Sequence, residues 1–109
     1  MARDAIPPGT LHLLILRTLA RNGELHGFEI AEFIERTSES VLVVEEGSLY
    51  PALQRVLVNG WVSAEWGTTG GNRRARYYQI TRAGRKQLET EEQQYVRIAG
   101  AIARVLQAI

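Results

Sequence analysis

The chain contains no cysteine and only two histidines. Without cysteine it has no disulfides, no thiol chemistry and no zinc site built on sulfur. His12 and His26 are too far apart in the sequence for a local metal motif, and the chain has neither an HExxH helix nor a glycine-rich phosphate loop with its lysine. Glu45 and Glu46 are adjacent, so in an extended chain they point to opposite sides and cannot form a facing carboxylate pair. We therefore expect no metal, no cofactor and no enzymatic activity.

Long hydrophobic runs are also absent. A membrane-spanning helix needs roughly 18 to 20 apolar residues, whereas the most apolar early segment, residues 11–16, is interrupted by His12 and followed by Arg17. This pattern argues against a membrane anchor and against the core of a signal peptide. A chain of 109 residues is long enough for one domain with a modest core. We expect a cytoplasmic protein with no membrane association and no second, catalytic domain.

The net charge of +1 says little by itself, but the charges are unevenly distributed. Residues 24–46 contain seven glutamates and one arginine, whereas residues 67–88 contain six basic residues and no acid. The basic residues are Arg73, Arg74, Arg76, Arg82, Arg85 and Lys86. A charge run is usually a solvated face, but this one includes a predicted turn between strands. That position favours contact with phosphate.

Hydrophobic periodicity predicts three helices in the first half of the chain. The first covers about residues 10–21, with residues 11, 14, 15, 18 and 19 on its buried face, and the second covers about residues 27–37. Residues 41–44 are a short β-branched run, which we expect to form a small strand or a turn of extended chain. The third helix begins near Gly47 or Ser48, with Ser48 as its cap and Pro51 in its first turn, and it ends at Asn59. Its buried stripe is predicted at residues 49, 53, 56 and 57. The opposite face carries Ser48, Pro51, Ala52, Gln54 and Arg55.

Two strands joined by a glycine-rich basic turn follow the third helix. Residues 61–66 and 74–80 are the strands, and residues 67–72 form the tip. We expect the aromatic residues of this ribbon to form cross-strand pairs: Trp61, Trp66, Tyr77 and Tyr78. Tyr50, at the front of the third helix, can reach a phosphate or a base edge while its ring packs on the ribbon. The predicted fold is mainly α with a small β-ribbon, a winged helix-turn-helix domain, which is an architecture that binds duplex DNA.

A long helix capped by Thr81 is predicted to run almost to the last residue. Its apolar residues follow a heptad pattern. They are Leu88, Tyr95, Ile98, Ile102, Val105 and Ile109, and Leu106 is also assigned to the predicted dimer contact. We expect this helix to pair with its twin in a homodimer, and the alternative is that it folds back on its own domain. The predicted organisation is a flexible N-terminal arm at residues 1–8, the DNA-binding domain at 9–81 and a dimerisation helix at 82–109.

Several ordered motifs resemble the signature of PadR-type transcriptional regulators. The segments are HGFEI from His26, EGSLYPAL from Glu46, NGWV from Asn59, YYQIT from Tyr77 and the pair Ala83-Gly84. Two further motifs, AEWG from Ala64 and NRRAR from Asn72, resemble the short branch of the family that is found in acidobacteria and their relatives. The resemblance covers about residues 9–107.

The resemblance implies a dimeric, promoter-bound repressor that a small molecule or stress signal releases. Residues Ser48, Tyr50, Pro51, Gln54 and Arg55 would lie in the major groove, and Arg73, Arg74 and Arg76 would hold phosphates or the minor groove. It also implies an apolar space for a flat aromatic effector between the terminal helices and the first helix. The residues at this candidate pocket are Leu11, Leu14, Tyr95 and Ile98.

Two other functions are compatible with the pattern. A winged helix can use its third helix or wing to dock another protein, and the acidic face of the second helix suits a basic partner. A nucleic-acid enzyme is the other alternative, but the sequence offers no acid/base pair or metal site for it. Salt-sensitive binding to DNA separates a regulator from a protein-interaction module.

Overall fold

Four helices and five strands make up the part of the chain that the computed structural model describes, residues 4–7 and 9–108. The helices are α1 (Leu11–Asn22), α2 (Gly27–Thr37), α3 (Glu46–Val58) and α4 (Arg82–Gln107). The strands are β1 (Asp4–Ala5), β2 (Leu25–His26), β3 (Leu42–Val43), β4 (Val62–Thr68) and β5 (Arg74–Ile80). The predicted fold class, mainly helical with a small β-ribbon, is confirmed.

The wing is an antiparallel ribbon of β4 and β5, and β2 pairs with the other edge of β5. The order β2-β5-β4 gives a three-stranded sheet, whereas the sequence predicted only the two long strands. Two residues are too few for an alternating pattern, so nothing local in the sequence indicates β2. Its pairing brings the start of α2 against the wing, which matters for the site described below.

The core lies where α1, α2 and α3 meet the inner face of this sheet. Its fully buried large apolar side chains are Ile15, Leu16, Leu19, Ile30, Leu49, Leu53 and Val56. The predicted faces of α1 and α2 are largely correct, except that Leu13 and Leu16 are buried while Leu11 and Leu14 are only partly so. The core holds α3 with one face against the domain and the other in solvent.

Helix α2 begins with a capping box at the residues where the sequence predicted its start. The ring of His26 accepts a hydrogen bond from the backbone N–H of Glu29, whose carboxylate accepts one from the backbone N–H of His26 at 3.1 Å. Each of these contacts satisfies an amide that the first turn of a helix leaves without a partner. His26 therefore has a structural role at the start of α2.

Helix α3 begins earlier than predicted, which corrects two expectations, and the burial of Ala52 corrects a third. It starts at Glu46, with Glu45 at the capping position, so Ser48 lies inside the first turn and makes no cap hydrogen bond. Pro51 consequently lies inside the helix rather than in its first turn. Ala52, which we placed on the face toward DNA, is fully buried. The start was misjudged because serine is a strong capping residue, whereas the cap here is a glutamate that uses only its backbone.

The start of α4 is fixed tightly to the domain. The hydroxyl of Thr81 accepts a hydrogen bond from the N–H of Gly84 at 3.0 Å and donates one to the carbonyl of Gly60 at 2.7 Å. Gly84 packs so closely against the backbone of Trp61 that a Cβ at this position would overlap the Trp61 carbonyl oxygen. The predicted cap at Thr81 is confirmed, and the contacts set the direction in which α4 leaves the domain.

The predicted role of Leu88 in the heptad pattern is wrong. It was assigned to the dimer contact, but its side chain is 4% exposed and lies in the core of its own domain. The cause is that the first turns of α4 pack on α1, where Arg17 and Glu92 also form an ion pair at 2.6 Å. The first part of α4 thus folds back on its own domain, which was the alternative to pairing with a second copy. The later residues of α4 extend away from the domain.

The described part of the N-terminal arm is attached to the domain rather than free. Strand β1 pairs in parallel with β3, with Asp4 opposite Leu42 and Ala5 opposite Val43. Residues 1–3 and 8 of the predicted arm lie outside the described residues, as does residue 109, which was predicted to end the dimer contact.

Candidate nucleic-acid interface

The solvent-facing side of α3 carries four of the five side chains predicted to enter the major groove. Ser48, Pro51, Gln54 and Arg55 are all exposed. They form a surface of short or polar groups, since Leu49, Leu53 and Val56 point into the core, and the exposed Val58 lies at the end of the helix. A surface of this kind can lie against base edges in the major groove, which is wide enough for a helix.

Tyr50 lies at the edge of α3 that faces α2 and the wing. Its side chain is 49% exposed, and its ring and hydroxyl cover Gly27 so closely that a Cβ there would be 3.1 Å from both. Glycine suits this close approach, because a Cβ at position 27 would push the tyrosine ring outward by a few tenths of an ångström. The close contact of Tyr50 is therefore with the start of α2, and its predicted packing on the ribbon stays a prediction.

Arg55 lies at the opposite edge of α3 and contacts α1. Its Nε donates a hydrogen bond to Nε2 of His12 at 3.1 Å, and the His12 ring meets the edge of Trp61 with centroids 6.3 Å apart. Burial lowers the pKa of His12 and the adjacent Arg55 cation lowers it further, while Glu91 opposes them. The neutral ring can accept the Arg55 hydrogen bond, so Arg55 is tethered to α1 in this structure.

The tip of the wing is a short hydrogen-bonded turn. The N–H of Thr69 donates to the carbonyl of Arg73 at 2.8 Å, and the N–H of Asn72 donates to the carbonyl of Thr69 at 2.9 Å. Asn72 has a φ of 62°, a left-handed conformation that asparagine tolerates better than most residues. The turn projects Arg73 and Arg74 into solvent, while Arg76 is partly covered.

Trp66 is the main difference between the predicted and the observed ribbon. The register places Arg76 opposite Trp66, and the guanidinium carbons of Arg74 and Arg76 lie 4.5 Å and 5.9 Å from the centre of its ring. The expected aromatic pairs between β4 and β5 are therefore wrong. Trp61 precedes β4, and Tyr77 pairs instead with His26 on β2, with ring centroids 5.3 Å apart.

A cleft of about 610 Å³ separates α3 from the wing. Aromatic rings line both walls of the cleft, whereas guanidinium groups line only the wing. The residues are Phe28 and Tyr50 on the helical side and Trp66, Arg73, Arg74 and Arg76 on the wing. At its floor, burial raises the pKa of the Tyr78 phenol, and Arg76 opposes that shift. The cleft thus has a positively charged wall and a neutral one.

The second half of α4 presents an apolar stripe to solvent. Tyr95, Ile98 and Ile102 are each about half exposed, and Val105 and Leu106 are more exposed still. Beside α1 this stripe borders a groove of about 470 Å³ lined by Gly9, Thr10, Leu13, Glu91, Gln94, Tyr95, Ile98 and Ile102. Of the residues predicted for an effector pocket, Tyr95 and Ile98 line this groove. Leu11 and Leu14 do not, and the residue of α1 that lines the groove is Leu13.

Within residues 4–7 and 9–108, no helix is both long enough and apolar enough to span a membrane. In the same part of the chain, no three His, Asp or Glu side chains are grouped so that they could hold a metal ion.

The sequence model of the transcriptional regulator PadR-like family matches residues 15–90 of this chain. The chain belongs to the PadR-like family of transcriptional regulators. The matched segment contains α2, α3 and the whole wing, so it includes the surface described above. Membership also confirms the prediction that the chain is a regulator and not an enzyme.

Solved PadR-type structures share this fold. A transcriptional regulator from Clostridium thermocellum superposes with a TM-score of 0.80 at 27% identity, covering 88% of this chain and 92% of that one. A PadR-like regulator from Bacillus cereus superposes with a TM-score of 0.77 at 26% identity, covering 93% and 95% of the two chains. PadR of Bacillus subtilis, solved in complex with operator DNA, has a TM-score of 0.65 at 23% identity and covers 74% of this chain and 46% of that one.

The observed roles of three residues of this PadR-type domain were not predicted from the sequence. Phe28 is 68% exposed at the start of α2, although aromatic residues in a helix usually indicate a core position. Trp66 could have been recognised by counting the ribbon register outward from the turn, which places it opposite Arg76. The contact of His12 with Arg55 joins residues 43 apart in the chain, and no local pattern predicts it.

Proposed function

We propose that this PadR-family chain binds promoter DNA as a homodimer and represses transcription until a small molecule or stress signal releases it. One observation carries the DNA-binding part: Tyr50, at one edge of the exposed face of α3, lines the same cleft as the arginines of the wing. In this proposal α3 enters the major groove and the wing holds the phosphates beside it or reaches the minor groove. Such a protein acts in the cytoplasm, on the DNA that it regulates.

The assigned contacts differ in kind. Gln54 and Ser48 can exchange hydrogen bonds with base edges, and Tyr50 can reach a phosphate or a base from the edge of α3. Arg73, Arg74 and Arg76 would supply charge without reading sequence, because phosphates are alike at every position. The complex of Bacillus subtilis PadR with operator DNA supports this class of partner.

The homodimer is supported by the apolar stripe on the second half of α4. Large apolar side chains that remain exposed over several turns mark a surface that another protein covers. A two-fold pairing through Tyr95, Ile98 and Ile102 would present two copies of α3 to the same side of a duplex. If these helices enter successive major grooves they are about 34 Å apart, and the operator is roughly palindromic.

Release by an effector is supported by the groove between α1 and α4. Its wall includes Leu13, Tyr95 and Ile98, which together offer an apolar surface and one aromatic ring. A flat aromatic molecule bound there would change how α4 meets its twin and therefore how far apart the two α3 helices lie. It shifts the equilibrium only to the extent that it binds one dimer arrangement more tightly than the other.

The DNA-binding proposal is tested by titrating a duplex from upstream of the chain's own gene at several salt concentrations. Replacing Arg73 and Arg74 by Gln should weaken binding to every sequence and reduce the slope of log K against log salt by roughly two units, since each phosphate contact contributes about 0.9. Arg36→Gln is the matched control. That arginine is exposed on α2, far from the wing in sequence, where it makes a loose contact with Glu32 at 3.8 Å and lies 5.9 Å from the centre of the Phe33 ring.

The outcomes separate the two functions that the sequence left open. An unchanged salt slope in the double variant contradicts the phosphate contacts assigned to the wing. Absence of any salt-sensitive binding by the wild-type chain would instead favour a protein-interaction module without sequence-specific DNA binding.

A further inference from the structure

Trp66 is a large aromatic residue of the wing that has no role among the proposed DNA contacts. Its side chain is 60% exposed although it lies within a strand of the wing. Exposure of this size leaves much of the apolar ring in water, which is unfavourable unless the ring has another partner. Its neighbours are two guanidinium groups, and it lines the cleft between α3 and the wing.

The ribbon register explains why these three side chains meet. Trp66 on β4 lies directly opposite Arg76 on β5, and Arg74 is the diagonal neighbour two residues away. Directly opposed and diagonal residues on one face of an antiparallel pair are within reach of long side chains. Arg74 and Arg76 are two apart on β5, so they project from the same face of the ribbon as the indole ring.

A guanidinium group that stacks on an indole ring contacts the ring through its planar face, so the N–H groups at the edge of the guanidinium remain free. Arginine binds phosphate through that edge, with two parallel hydrogen bonds, so stacking and phosphate binding do not compete. An unstacked arginine loses the freedom of its flexible side chain when it binds, whereas a stacked one has lost part of it already. Stacking on Trp66 therefore fixes the direction of an arginine side chain, which at a protein surface is usually free to move.

We propose that Trp66 is a positioning residue of the DNA-binding surface, which holds Arg74 and Arg76 toward the sugar–phosphate backbone of one DNA strand in the cleft. The inference rests on the proposed function and adds a residue that does not itself need to touch DNA. The chemistry of the cleft agrees with this occupant, because a backbone strand presents phosphates to the arginine wall and deoxyribose to the aromatic side chains of Phe28 and Tyr50.

The decisive experiment is a double-mutant cycle between Trp66 and Arg74, read by titrating a synthetic mixed-sequence duplex at low salt. Trp66→Leu should weaken binding about 3- to 10-fold in the wild-type background and less than about 2-fold in an Arg74→Gln background. Trp66→Phe keeps an aromatic face and should retain most of the affinity. In Trp66→Leu the salt slope should stay close to the wild-type value, since the arginines are still present and charged.

A readout without DNA keeps the inference testable if a variant folds poorly. In the free wild-type protein, the ring current of Trp66 should shift the side-chain proton resonances of Arg74, and Trp66→Phe should reduce that shift. Thermal unfolding of each variant identifies any loss of affinity that comes from unfolding.

Each result bears on a different claim. An equal loss from Trp66→Leu in both backgrounds means that Trp66 contacts DNA itself or only stiffens the ribbon, and this overturns the positioning role while leaving the proposed function intact. Unshifted Arg74 resonances overturn it too. Failure of the wild-type protein to bind any duplex overturns the proposed function, and the positioning role with it.

Discussion

Nε of Arg55 donates a hydrogen bond to Nε2 of His12 across 3.1 Å, and this contact joins the solvent-facing edge of α3 to α1. Protonation of His12 removes the acceptor and places two cations side by side. Burial of the ring and the charge of Arg55 both lower the pKa of His12 below its ordinary value of 6.5, although Glu91 acts in the other direction. The folded protein therefore binds this proton less readily than the unfolded chain does.

The first prediction concerns stability against pH. Because the pKa of His12 is lower in the folded state, its contribution to stability is complete above the ordinary value of 6.5 and is lost as the pH falls from there through the folded pKa. Urea unfolding measured over this range should show stability decreasing with acid. In His12→Gln, which offers an acceptor that does not titrate, this decrease should be smaller. The same pH dependence in both proteins would contradict the assignment.

The second prediction concerns the start of α4. Gly84→Ala adds a methyl group where the carbonyl of Trp61 already lies, so α4 must move or the chain must unfold locally. We expect a loss of about 2 to 4 kcal/mol in the free energy of unfolding. Gly100→Ala, at a position whose one neighbour within reach is the end of the Arg104 side chain, is the control and should be neutral or slightly stabilising. A Gly84→Ala variant as stable as the wild type would show that the close approach is not rigid.

The third prediction separates base contacts from phosphate contacts. Gln54→Ala should relax the preference for one or two positions of a selected binding site, at a cost of about 1 to 3 kcal/mol for the preferred base. Arg73→Gln should weaken all sequences alike. Selection of bound fragments from random DNA with each variant measures both effects. Identical selected sequences for wild type and Gln54→Ala would remove Gln54 from the base contacts.

The fourth prediction concerns the apolar stripe of α4. Ile98→Glu places a charge within the proposed helix pair and should convert the dimer into a monomer, as measured by light scattering. Gln93→Glu adds the same charge five residues earlier, on the polar side of the helix, and should leave the dimer intact. A monomeric wild-type protein, or a dimer that survives Ile98→Glu, would contradict the dimer contact.

The sequence predicted the elements that depend on nearby residues. Helix α2 and the cap at Thr81 were identified because their signals lie within one turn of the positions that they control. The start of α3 was misplaced by two residues at most, since Glu45 caps it without a side-chain hydrogen bond. The branch within the PadR family stays a prediction.

Tertiary contacts limited the prediction of the site. A heptad position and a core position look alike in sequence, and Leu88 became part of the core only because α1 lies beside it. The environment of Trp66 depends on strand register, and that of Arg55 depends on a histidine from another helix. The residue types indicated which side chains are suited to contact DNA. The directions in which those side chains point depend on tertiary contacts, so they could be seen only in the folded structure.

The most direct test of the central claim is a titration of a duplex from upstream of the chain's own gene with the purified protein, in which affinity and stoichiometry are measured together. The account predicts two chains per duplex, tight binding that weakens steeply as salt is raised, and much weaker binding to a duplex of scrambled sequence. Binding by a single chain, or no binding at low salt, would contradict it.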